Sequence, residues 1–98
     1  MRLRVSRPAQ RDLDEIFVYW AQRASLEVAD RLIEAIDEQI GLLAELPRIG
    51  RKCDEIAPGV RCFPAGKYLI YSRRKRGKIQ ILHVFHGARD QGSAFKNG

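Results

Sequence analysis

No run of apolar residues in this chain is long enough to span a bilayer, and its first fifteen residues, MRLRVSRPAQRDLDE, hold no apolar stretch of the kind a secretory leader needs. Histidine and cysteine are scarce, at two each. Cys53 and Cys62 lack zinc-type spacing and have no second pair to complete a ligand set. A glycine-rich phosphate loop, a nucleophile elbow, internal repeats, a low-complexity tract and a linker to a second domain are all missing. These absences leave no residues for metal- or nucleotide-dependent chemistry, so no metal and no cofactor is expected. They also imply a cytosolic protein, with no membrane partner and with both cysteines as free thiols.

What is present is ordinary globular material. The 98 residues, 45% apolar and 31% charged, suit one domain spanning 1–98 with one real core and no deep cavity between lobes. The formal charge of +6 is unevenly placed. Residues 60–90 carry eight Lys or Arg against the single acid Asp90, whereas the remainder is close to neutral. A field concentrated in one third of a chain points to an acidic macromolecular partner.

The patterning predicts an α+β domain of order β-α-α-β-β-β. Arg2–Ser6 alternates polar and apolar, as a short strand does. Pro8 suits a first helical turn, and Ala9, Leu13, Ile16, Phe17, Trp20 and Ala24 recur at three and four along one stripe. Ser25 is placed to cap a second helix with the stripe Val28, Leu32, Ile33, Ile36, Ile40 and Leu43, ending near Leu46. So short a connection implies a helical hairpin. Residues 47–59 are rich in turn formers and read as loop. Strands are expected at 60–64, 67–73 and 78–86, joined at Gly66 and by a tight turn over Arg74–Gly77. The hairpin of helices should cover one face of this mostly antiparallel sheet.

The candidate binding residues are basic. Arg61, Arg73, Arg74, Lys75, Arg76, Lys78 and Arg89 all fall on strands, turns or strand ends of one sheet, which would gather them into a patch. Guanidinium groups grip phosphates and carboxylates through paired N–H groups. Tyr68 and Tyr71 lie among them as stacking candidates, with at least one expected in the core. His83 and His86, three apart on a strand, should face opposite ways and cannot chelate together. Metal-free RNA cleavage needs a base for the 2′-OH, an acid for the leaving oxygen and cations for the phosphorane charge. Arg61, His86 and Arg89 are the alternative catalytic set for that reaction, but His86 has no evident acid–base partner. The first reading is therefore binding without catalysis.

Several segments together resemble the RelE/ParE superfamily of toxins. They are Ser6…Ala9…Asp12-Leu13…Ile16…Tyr19, Leu46-Pro47-Arg48-Ile49-Gly50-Arg51, Gly59-Val60-Arg61 through Tyr68-Leu69-Ile70-Tyr71, and Ile79 through His86-Gly87-Ala88-Arg89-Asp90. The closing His-Gly-Ala-Arg-Asp is similar to the ParE branch. This resemblance implies the toxin half of a bacterial toxin–antitoxin module, carried on plasmids or chromosomes. It implies neutralisation by a flexible segment of a ParD-like antitoxin, in a toxin–antitoxin hetero-oligomer. It also implies DNA gyrase as the target, without sequence-specific DNA binding by the toxin. The RelE branch, by contrast, cleaves mRNA on the ribosome with a basic cluster and an acid or base near the C-terminus, where this chain has Phe95 and no hydroxyl. The antitoxin is expected beside the helical hairpin and over the basic sheet.

Overall fold

The computed structural model describes residues 2–88. Its elements are β1 (Arg2–Val5), α1 (Arg7–Arg23), α2 (Leu26–Glu45), β2 (Arg51–Lys52), β3 (Val60–Ala65), β4 (Tyr68–Lys75) and β5 (Lys78–His86). The strands form one mixed sheet in the order β1-β5-β4-β3-β2, antiparallel except where β1 runs parallel to β5. This is the α+β plan expected from the patterning, with one strand more. No helix among the described residues is long and apolar enough to cross a membrane.

Both helices begin where their side chains can satisfy an otherwise unpaired N–H. Ser6 Oγ accepts from Ala9 N at 3.2 Å, and Ser25 Oγ accepts from Val28 N at 3.1 Å. Only Ala24 and Ser25 separate the helices, so they fold back as a hairpin. Its inner stripe is Ala9, Leu13 and Ile16 on α1, with Ile36, Ile40 and Leu43 on α2. These residues pack on Ala65, Tyr68, Ile70, Ile79, Ile81 and Val84 to make the main core. Val28 and Leu46, which the periodicity places on that stripe, are instead exposed, and Ala29 is the buried residue of the first turns.

A second, smaller core lies on the opposite face of the sheet, where Cys53, Val60, Cys62, Tyr71 and Phe85 meet Ile56, Ala57, Leu69 and Leu82. A β-bulge explains how β5 serves both faces. The register steps from Tyr71↔His83 to Ser72↔Ile81, which leaves Leu82 as an extra residue. That step lets Ile81 and Val84, three apart, point into the same core, whereas Leu82 and Phe85 point into the other.

The segment 47–59 differs from the loop its composition predicts, because β2 forms inside it and pairs with β3 through Arg51↔Cys62 and Lys52↔Arg61. A two-residue strand is too short to leave a period in sequence. This pairing overturns the free-thiol expectation. Cys53, just past β2, sits diagonally across from Cys62, with Cα atoms 6.2 Å apart, and the two form a disulfide.

Gly50 is buried against the same strand, where a Cβ would lie 2.7 Å from the Cys62 carbonyl oxygen. Gly50→Ala must therefore displace backbone, and a loss of about 1–3 kcal/mol is expected from such overpacking. Urea denaturation checks this, and an unchanged midpoint would contradict the close approach.

The last hairpin also departs from expectation. β4 runs on to Lys75, so Arg74 and Lys75 belong to the strand. The turn is Arg76-Gly77, with φ of 52° and 74°, the left-handed pair that matches strand twist in a two-residue hairpin.

Candidate functional site

The predicted basic patch does not form on one face. Facing pairs in an antiparallel ladder project to the same side. Arg61 pairs with Ser72 and Arg74 with Ile79, on the helix side of the sheet, whereas Arg73 pairs with Val60 and Gln80 on the side of the smaller core. Arg76 is exposed in the turn, and Arg89 lies outside the described residues.

Arg61 is tied to the chain itself. Its Nη1 donates to Gly50 O at 2.7 Å and to Arg48 O at 3.3 Å. The guanidinium thus pins the Pro47–Gly50 connection to β3. This explains why the Leu46-Pro47-Arg48-Ile49-Gly50-Arg51 and Gly59-Val60-Arg61 segments belong together in space.

Tyr71 is 1% exposed in the smaller core, and Tyr68 is 8% exposed in the main one. The expectation that one of the two is core is met by both, and the stacking role proposed for them has no open ring face to use. Burial raises the Tyr71 phenol above its ordinary range, with Arg51 lowering it and Glu55 raising it to smaller extents. Its hydroxyl therefore stays protonated throughout the physiological range and is no base. Tyr68 keeps a polar edge, its OH accepting from Trp20 Nε1 at 2.9 Å.

That edge borders a groove of about 560 Å³ between α1 and the ends of β4 and β5, lined by Glu15, Tyr19, Trp20, Lys67 and His86 among others. His86 packs edge-on to Tyr68 with centroids 5.4 Å apart, and its Nδ1 accepts from Ala88 N at 3.1 Å. In neutral His86 the other ring nitrogen then carries the proton. His83 lies on the other face, stacked on Phe85 at 4.5 Å, as strand alternation predicts.

Arg61 and His86, two members of the alternative catalytic set, are not brought together. His86 pairs with Tyr68, and Arg61 pairs with Ser72, four residues further along β4. That offset is about 13 Å along the strand, with two strand spacings of about 5 Å each across it. A base and the cation that stabilises the same phosphorane must both lie within roughly 3 Å of the reacting group. Arg61 and His86 do not meet this condition.

Two features escaped the sequence reading. Lys52 joins the basic residues because β2 places it beside Arg61. Leu46 and Ile49 form an exposed apolar ledge with Pro47 and Arg48, since α2 ends before their side chains reach the core. An apolar residue at the end of a helical stripe carries no signal that it stays outside.

Comparison with known proteins places this geometry in a family. The model of the ParE toxin of type II toxin–antitoxin systems, parDE, matches residues 3–91. Toxin ParE1 of Mycobacterium tuberculosis (strain ATCC 25618 / H37Rv) is 34% identical over 90 residues, covering 91% of this chain and 92% of that one. Toxin ParE1 of Caulobacter vibrioides is 30% identical over 83 residues, covering 85% of each. Among solved structures, a chain of the chromosomal ParDE system from P. aeruginosa superposes with a TM-score of 0.79 at 28% identity, covering 88% of this chain and 95% of that one. A chain of the RelBE2 toxin–antitoxin complex from Mycobacterium tuberculosis shares the fold, with a TM-score of 0.67 at 24% identity, covering 87% of this chain and 95% of that one. The chain belongs to the ParE toxin family of type II toxin–antitoxin systems.

Proposed function

We propose that this toxin, a single domain acting in the cytoplasm, blocks replication by binding and poisoning DNA gyrase, and that a ParD-like antitoxin neutralises it in a hetero-oligomer. The observation that carries the choice of a binding mechanism over RNA cleavage is the separation of Arg61 from His86, together with the commitment of Arg61 to the carbonyls of Arg48 and Gly50. A charged side chain held by two main-chain acceptors serves the fold first.

The antitoxin reading is supported by the solved neighbour from P. aeruginosa, described as a ParDE system. It is supported as well by the groove beside α1, where Tyr19 is 45% exposed next to half-buried Trp20. An amphipathic segment lays apolar side chains into such a groove and leaves its acids for the cations of the sheet.

Brief induction of the toxin in bacteria tests the reading. The expected result is induction of the DNA-damage response and filamentation while transcripts stay intact. Rapid codon-linked transcript cleavage without DNA damage would contradict it, and would direct attention to Arg61, His86 and Arg89.

A further inference from the structure

β3 reaches only to Val60, opposite Arg73, but β4 continues to Lys75 with no strand on that side among the described residues. A cleft of about 310 Å³ opens beside this free stretch of β4. Lys52, Arg61, Arg73 and Arg74 line it, against the single carboxylate of Asp54. Asp54 Oδ1 already accepts from Gly59 N at 2.9 Å.

Among the described residues no ion pair neutralises the other cations. The ion pairs among the described residues are Arg31–Glu27, Arg51–Glu55 and His83–Asp12, none of which includes Lys52, Arg73 or Arg74. Arg73 Nε is buried and has no hydrogen-bond partner among the described residues. A buried guanidinium N–H without an acceptor is unfavourable, and a bound water or ion is one way in which such a group is satisfied.

We infer that this cleft at the open end of β4 is a phosphate-binding site, with the Arg73 and Arg74 guanidinium groups and the Lys52 ammonium as its donors. Three cations beyond the one carboxylate suit a group with several anionic oxygens. A carboxylate presents two oxygens in one plane, whereas phosphate presents its oxygens in several directions, toward β4 and toward β2 together. The phosphate belongs either to a nucleic-acid backbone or to a free phosphate ester. The inference stands apart from the choice of gyrase as target, because it rests on the cleft alone.

The test uses the intact oxidised chain, Arg73→Gln, Arg74→Gln, and Arg31→Gln on the distant surface of α2 as control. Calorimetric titration with inorganic phosphate at low salt is expected to show saturable binding. Arg73→Gln and Arg74→Gln should each weaken it about tenfold, and Arg31→Gln should leave it unchanged. Arg74 is exposed, so its variant keeps the test open if Arg73→Gln unfolds.

A short fluorescein-labelled DNA duplex separates the two sources. Tighter binding than phosphate, with a salt slope that falls by about 0.9 in Arg74→Gln, assigns the site to a backbone phosphate. Binding of phosphate without tighter binding of the duplex assigns it to a free ester. The proposal is overturned if phosphate does not bind, if Arg31→Gln weakens binding as much as Arg74→Gln, or if hexaglutamate binds the cleft more tightly than phosphate does.

Discussion

Reduction of the Cys53–Cys62 disulfide is expected to lower the stability of the purified toxin by about 3 kcal/mol. The bond joins residues nine apart, and closing a loop of about ten residues removes this much conformational freedom from the unfolded chain. Both sulfurs belong to the smaller core with Val60, Tyr71 and Phe85. The main core between helices and sheet contains neither. The reduced protein should therefore remain folded, with its melting temperature lowered by roughly 12–24 °C at about 4–8 °C per kcal/mol for a domain of this size. Calorimetry with and without reductant decides the matter, and equal melting temperatures would show that the bond contributes nothing. In a reducing cytoplasm the same shift would make the toxin more dependent on its partner for stability.

Loss of the Asp12 carboxylate is the other large effect. β1 covers β5 only as far as Ile81, and the rest of that edge is satisfied from α1 and its cap. Ser6 N donates to Ile81 O at 3.0 Å and Ser6 Oγ donates to Leu82 O at 3.1 Å. Asp12 Oδ2 then accepts from Val84 N at 3.0 Å and meets His83 Nδ1 at 2.8 Å. Asp12→Ala removes the carboxylate oxygen that the Val84 edge N–H and the largely buried His83 imidazole share, and should cost about 2–4 kcal/mol. Asp12→Asn keeps an acceptor oxygen of the same length and should recover more than half of that loss. Chemical denaturation of both variants checks the assignment, and a loss below about 0.5 kcal/mol in Asp12→Ala would refute the edge-capping role.

The elements that sequence reveals are those with a period or a cap. Ser6 and Ser25 mark the helix starts, and the stripes from Ala9 to Ile16 and from Ile36 to Leu43 lie in the core as spacing requires. The bounds of β3, β4 and β5 also fall within a residue or two of those expected, although the bulge at Leu82 breaks the alternation of β5. What sequence hides is pairing between distant segments. β2 has two residues and no pattern, yet its register brings Cys53 to Cys62 and Lys52 to Arg61. The basic residues were legible as a group, but their distribution was not, because consecutive strand residues project to opposite faces. Arg73 and Arg74 are neighbours in sequence but start from opposite faces, and they share a cleft at the open edge beyond Val60. Tyr68 and Tyr71 read as stacking candidates, with at least one in the core, because aromatic residues among arginines resemble a binding surface. The helices cover one ring and the loop closed by the disulfide covers the other.

The proposed binding to gyrase, without chemistry by the toxin, is tested most directly by a supercoiling assay with purified gyrase, relaxed plasmid and purified toxin. Inhibition with accumulation of cleaved plasmid is predicted, along with reversal when a ParD-like antitoxin is added in equal amount. Undisturbed supercoiling at a large molar excess of folded toxin would contradict it.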